Sequence, residues 1–152
     1  MARARVGLIS DTHGLLRPEA LAFLQGANQI IHAGDIGDAE LLDRLAAIAP
    51  VTVVRGNNDT ESWAEHIPLT QRLVVADVHI LVVHDLKTLS AVPLQVRVVV
   101  SGHSHKPLIE RRGDVLFVNP GSAGRRRFKL PIAVGELIID SGQIEPRIHE
   151  VE

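Results

Sequence analysis

The pattern of apolar and polar positions changes character halfway along the chain. In the first half, short apolar runs alternate with segments of helical period. RVGLIS (residues 5–10) predicts a buried strand, and PEALAFLQG predicts a helix with Pro18 at its start and Gly26 at its end. QIIHAGD predicts a second strand, AELLDRLAAIA (residues 39–49) a second helix with Asp38 as its cap, and VTVVRG a third strand. This β-α-β-α-β order implies parallel pairing with right-handed crossovers.

The second half has almost no helical signal. QRLVVADVHILVVHD splits at Ala76-Asp77 into a hairpin, and VRVVVSG forms another strand. LIERRGDVLFVN turns at Gly113-Asp114, and AVGELIIDSGQIEPRIHEV turns at Ser141-Gly142. The economical arrangement is an α/β fold of two sheets packed face to face, the first covered by helices.

Composition narrows this picture. A chain of 152 residues predicts a single domain spanning 1–152, with no separate cap and an open site. Aromatics are 3% of residues, so the core must be built from Val, Ile, Leu and Ala. The absence of cysteine excludes disulfides, zinc–thiolate sites and thiol catalysis, and fits a reducing cytoplasm. A formal charge of −2 gives no global field toward nucleic acid. No apolar stretch approaches a membrane span, and Asp11 interrupts the first run too early for a signal peptide.

The chemistry lies where strands end. The first runs into Asp11 and His13, the second into His32 and Asp35, and the third into Asn57, Asn58 and Asp59. VVHD brings His84 and Asp85, and VVVSGHSH brings His103 and His105. Any one of these is an ordinary turn or surface residue, but five successive strand ends carrying oxygen or imidazole donors point to a metal site. Seven of the donors suit two ions sharing a carboxylate. Mixed carboxylate, amide and imidazole ligands suit manganese, iron, nickel, cobalt or zinc rather than calcium or magnesium alone, and manganese is the expected ion. Two divalent ions with Asp11 and Asp35 leave about +2 at the site, which suits a phosphate ester attacked by metal-bound hydroxide.

The ordered series Asp-x-His, Gly-Asp, Gly-Asn-x-Asp, His, Gly-His-x-His resembles the calcineurin-like metallophosphoesterase superfamily, and its small prokaryotic phosphodiesterases in particular. The likeness runs from Val6 to the final hairpin. It implies a four-layer α-β-β-α sandwich and a metal-dependent phosphodiesterase. It further implies one ion on Asp11, His13, Asp35 and His105, and a second on Asp35, Asn57, His84 and His103, with Asp35 bridging. The alternating histidines of GHSH would thus serve different ions. NPGS (residues 119–122) would pack near the metal loops, and His32 would support them or lie in the core.

Two positions depart from the pattern. Many members of the superfamily have His after Gly-Asn, where it contacts phosphate and protonates the leaving group; here Asn58 stands there, which cannot act as an acid, while Asp59 that would orient such a His remains. Gly usually follows the His84 motif; here Asp85 would repel phosphate or alter the second ion's affinity.

GRRRFK, with Arg125, Arg126 and Arg127, is the one basic cluster, either a solvated loop or a phosphate clamp. It shows no aromatic interleaving that would support base stacking. Trp63 is expected to be a packing residue, with a wall of the substrate site as the alternative, and His66, His79 and His149 to lie at the surface or in pairs. The competing function is a scaffold, as in the retromer subunit that resembles this family but has lost ligands; all seven positions are filled here, which favours the enzyme. Monoesters or nucleotide pyrophosphates would use the same chemistry. The expected partner is a phosphate-ester substrate, with no nucleic-acid or membrane signal, and edge strands that permit a homo-oligomer.

Overall fold

The computed structural model describes residues 3–151. The first sheet contains β1 (Arg3–Ile9), β2 (Gln29–His32), β3 (Val51–Val53), β9 (Ala133–Asp140) and β10 (Gln143–Glu150), in the order β10-β9-β1-β2-β3. β1, β2 and β3 pair in parallel, as the alternating helices predict. The C-terminal hairpin extends this sheet by antiparallel pairing of β9 with β1. The second sheet runs β4-β5-β6-β8-β7, from β4 (Thr70–Val75), β5 (Val78–Val83), β6 (Val96–Val100), β7 (Leu108–Arg112) and β8 (Val115–Asn119). Its centre, β5-β6-β8, is parallel.

Strand alternation divides the apolar residues between layers. Val6, Leu8, Ile31, Val98, Val100, Leu116 and Leu137 fill the space between the sheets. Ile9 and Ile30 point the other way, against Leu24 of α1 (Pro18–Leu24) and Leu41 and Leu45 of α2 (Ala39–Ala46). Asp38 caps α2 by accepting from the Glu40 N–H at 3.0 Å. α1 opens on Pro18 without a side-chain cap, since the preceding residue is Arg17. Trp63 packs against this helical layer, as expected.

The outer face of the second sheet has its own cluster of Leu81, Val83, Val96, Val99 and Phe117, covered by the 3₁₀ turn Leu86–Thr88 and the following loop. The expected sandwich is therefore present, with its fourth layer reduced to this short cover. Among the described residues, no helix is long and apolar enough to cross a membrane.

Leu8 is fully buried between the sheets, whereas Val74 is 57% exposed. Leu8→Ala should cost about 2–5 kcal/mol of unfolding free energy and Val74→Ala within about 0.5 kcal/mol, measured by urea denaturation. Equal effects would contradict the inter-sheet core.

Candidate metal centre

Because β1, β2, β3, β5 and β6 are parallel neighbours in their two sheets, their carboxyl ends come to one edge of the sandwich. The loops that follow bend sharply. Asp11, His13, Asp35, His103 and His105 all have positive φ, between 45° and 69°. Such backbone is strained for these residues and persists only where surrounding contacts hold it. Gly102 shows how tight the convergence is, since a Cβ there would collide with Ser10 Oγ and lie 2.7 Å from Asp11 Oδ2.

Seven side chains meet in two overlapping groups. In the first, His105 Nε2 is 3.5 Å from Asp11 Oδ1 and His13 Nε2 is 3.7 Å from Asp35 Oδ2. In the second, Asn57 Oδ1 lies 3.0 Å from His84 Nε2 and 3.2 Å from His103 Nδ1, and the two ring nitrogens are 3.3 Å apart. Asp35 Oδ2 belongs to both, lying 3.3 Å from His84 Nε2. The ligand atoms of Asp11, His13 and His105 fall within 4.8 Å of one another, as do those of Asp11, Asp35 and His84.

This donor set fits a metal on its own geometry. Among the described residues, Asp11 Oδ1 and His13 Nε2 are buried without a hydrogen-bond partner. His84 Nδ1 lies 2.7 Å from the Ala33 carbonyl, which can only accept, so Nδ1 carries the proton. In the neutral ring Nε2 then offers a lone pair to Asp35, Asn57 and His103, all rich in acceptors. A cation, or a proton on His84, supplies the positive charge that such lone pairs converge on.

The titration behaviour agrees. Burial opposes charge on His84, but Asp35 beside Nε2 and the Ala33 carbonyl outweigh it and raise its pKa. Burial also opposes charge on Asp35, yet hydrogen bonds from His84 and the Asn58 N–H, with the charges of His84 and His13, bring its pKa down to about 2. Burial raises Asp11 and lowers His105, and the nearby charge of Arg127 lowers His105 further.

Neighbouring groups hold this arrangement. Asp11 Oδ2 accepts from Ser10 Oγ at 2.7 Å and from the His103 N–H at 3.0 Å, leaving Oδ1 for the cluster. Asp35 accepts from the Asn58 N–H at 2.9 Å and from its side-chain amide at 3.1 Å. Asn58, which stands where many members of the superfamily have His, thus directs its side-chain amide onto the shared carboxylate. Asp59 stands one residue further along. Its buried carboxylate accepts from the N–H groups of Ile36, Gly37 and Gly56, tying the loops after β2 and β3 together.

His32 also acts through backbone. Its Nδ1 accepts from the Gly34 N–H at 3.1 Å, so Nε2 donates to Thr12 Oγ1 at 3.0 Å, and that hydroxyl donates to the Ile36 carbonyl. Neither of these hydrogen bonds goes to a member of the cluster. Asp85 lines the pocket beside Asn57, His84 and His103; its Oδ2 lies 3.7 Å from His103 Nε2, on the side of the ring away from Asn57, and its Oδ1 caps the Leu86–Thr88 turn.

NPGS packs where the resemblance implies: Asn119 Nδ2 donates to the Gly102 carbonyl and Ser122 Oγ to the Asp11 carbonyl. Arg125, Arg126 and Arg127 are exposed at the rim. His149 stacks on Phe23, away from the site. Sequence reasoning missed Ser10 and Thr12; their signal was the polar turn in the strand-end run SDTHG.

Two five-stranded sheets with an Asp/His/Asn cluster across their parallel strand ends define a metallophosphoesterase architecture. The sequence profile of the calcineurin-like phosphoesterase superfamily domain matches residues 4–142, and the chain belongs to that superfamily. It is 36% identical over 132 residues to a probable metallophosphoesterase of Methanocaldococcus jannaschii, covering 77% of this chain and 67% of the relative. It is 30% identical over 158 residues to phosphodiesterase YfcE of Escherichia coli, covering 84% of each. A solved structure described as a novel archaeal phosphodiesterase shares the fold with a TM-score of 0.78 at 24% identity, covering 96% of this chain and 99% of that one.

Buried His32 has its pKa lowered from 6.5 to about 3, chiefly by burial. Between those values the unfolded chain binds a proton that the folded one refuses, so stability falls as pH drops from about 6.5 toward about 3. The slope from this residue reaches about 1.4 kcal/mol per pH unit. Asp11 and His84, whose pKa values are raised, act in the opposite sense, so the comparison is made with His32→Gln. Urea denaturation of metal-free protein should show the wild type losing more stability than the variant over this window. Parallel pH profiles would contradict it.

Proposed function

We propose that this protein is a two-metal phosphodiesterase acting on diesters with good leaving groups. The observation that carries the reading is the pair of acceptor groups sharing Asp35. Asp11, His13, Asp35 and His105 would hold one divalent transition ion; Asp35, Asn57, His84 and His103 would hold the other. Manganese suits the mixed oxygen and imidazole donors. When bound, the ions polarise the phosphoryl group and make water more acidic.

The chain's own residues keep these donors in position. Asn58 fixes the orientation of Asp35, Ser10 that of Asp11, and the Ala33 carbonyl selects the His84 tautomer. Asp85 steadies the outer nitrogen of His103. Arg127 adds positive charge beside His105, where it would orient phosphate. A pocket of about 210 Å³ lies beside Asn57, His84 and His103, leaving room for an ester arm, and a wider depression is lined by Lys106, Phe128, Lys129 and Leu130. The cysteine-free composition suits work in the cytoplasm.

Leaving-group protonation is the weak step. Asn58 has no proton to give near neutral pH, so the leaving oxygen must depart as an anion or take its proton from solvent.

Chelator-stripped protein titrated with manganese should hydrolyse bis-p-nitrophenyl phosphate, with calorimetry approaching two ions per chain. Asp35→Asn should lower turnover more than about 100-fold. A folded protein inactive with every divalent metal would overturn this reading in favour of a scaffold. Asn58→His should speed a phenyl ester relative to a p-nitrophenyl ester by about 100-fold. An unchanged ratio of the two rates would show that protonation is not limiting.

A further inference from the structure

The basic loop carries a feature that the metal cluster does not explain. Three of the four aromatic side chains, Phe23, Trp63 and Phe117, pack against the core. Phe128 is 93% exposed. It sits at a turn closed by the Leu130 N–H to the Arg127 carbonyl at 3.1 Å, with φ of 53°. Glycine or asparagine would occupy that conformation with little strain; a phenylalanine there holds a large apolar ring in water. The expectation of a basic cluster without an interleaved aromatic is therefore corrected: the ring lies within the cluster itself.

The loop is rooted at the metal centre. Gly124 lies so close to the first ligand loop that a Cβ would be 2.5 Å from the Asp11 carbonyl oxygen and 2.7 Å from that of Thr12. Beyond it, residues 125–129 are all exposed, and four of the five are Arg or Lys. Phe128, Lys129 and Leu130 line an open depression of about 790 Å³ with Lys106, which directly follows His105. One wall of the depression thus comes from the residue that follows His105 in the chain, and Arg127, at the start of the turn that carries Phe128, is close enough for its charge to act on His105.

We infer that this depression is a nucleoside subsite: a base stacks on Phe128 while the arginines and lysines around it engage phosphate. The inference rests on the phosphodiesterase reading for the position of the reacting phosphorus, and extends it to nucleotide diesters. A flat apolar ring ringed by cations suits a flat π-system bearing negative charge. An acyl chain would need a longer apolar track, and here only Phe128 and Leu130 are apolar. Hydrolysis adds water across one P–O bond, with the hydroxyl going to phosphorus and the proton to the departing oxygen. The retained nucleoside stays on the ring.

The test compares kcat/KM of the manganese-loaded protein for thymidine 5′-(p-nitrophenyl phosphate) and methyl p-nitrophenyl phosphate, which share a leaving group. The thymidine ester should be favoured by about 5- to 150-fold, the range that one stacked base contributes. That ratio should fall toward one in Phe128→Ala and survive in Phe128→Trp. In parallel, fluorescence anisotropy follows binding of a labelled, hydrolysis-resistant phosphorothioate hexathymidylate. Affinity should drop in Phe128→Ala, and in the double variant Arg125→Ala/Arg127→Ala the salt dependence should also flatten. A wild-type ratio near one, or oligonucleotide binding that Phe128→Ala leaves unmoved, overturns the subsite. Phe128-dependent binding without turnover on either ester overturns the phosphodiesterase reading and keeps the subsite. Self-association abolished by Phe128→Ala, with no nucleotide effect, overturns it in favour of a second copy of the chain.

Discussion

The organising constraint of this protein is the repulsion among acceptor atoms gathered at one edge of its two sheets. Two carboxylates, an amide oxygen and four imidazoles approach within hydrogen-bond or ion-pair distance, and several offer lone pairs where no donor faces them. Without positive charge among them such a cluster would spread apart. Its persistence depends on backbone that cannot relax. Five of its members sit at positive φ, and the loops carrying them are cross-tied by buried groups outside the donor set. Asp59 spans the loops after β2 and β3, and His32 with Thr12 joins those after β1 and β2.

The sheets supply what the loops need. Each acceptor group draws on both sheets: β1 and β2 deliver Asp11, His13 and Asp35, while His105 follows β6. The second group joins Asp35 and Asn57 to His84 and His103 from β5 and β6. The apolar layer between the sheets, from Val6 and Leu8 to Val98 and Val100, therefore sets the spacing of the site as well as the stability of the fold. A shift of one sheet against the other would separate the donors of both groups at once.

Against this shared frame, the chain's departures have local chemical meanings. Asn58 exchanges a proton donor for an amide that fixes Asp35. Asp85 brings a carboxylate to the outer side of His103 and to the wall of the adjoining pocket. The loop around Phe128 adds an aromatic surface and positive charge to an otherwise open rim. Together they alter how a phosphate ester would be held and released while leaving the donor set intact.

The sequence alone determined the strands, both helices and the identity of the clustered donors, because these follow from periodicity and from residue types at strand ends. Parallel order was legible in the alternation of strand and helix, and with it the gathering of Asp11, His13, Asp35 and Asn57 on one edge. Tertiary structure decided which sheet receives the final hairpin: β9 pairs with β1, a contact set by core packing across more than 120 residues of chain. It also decided side-chain direction. Whether Asp59 faces a cleft or three backbone N–H groups, and whether Phe128 packs or stands in water, depends on neighbours distant in sequence. Local pattern does not carry that information, since burial and hydrogen-bond satisfaction are settled only when the layers close.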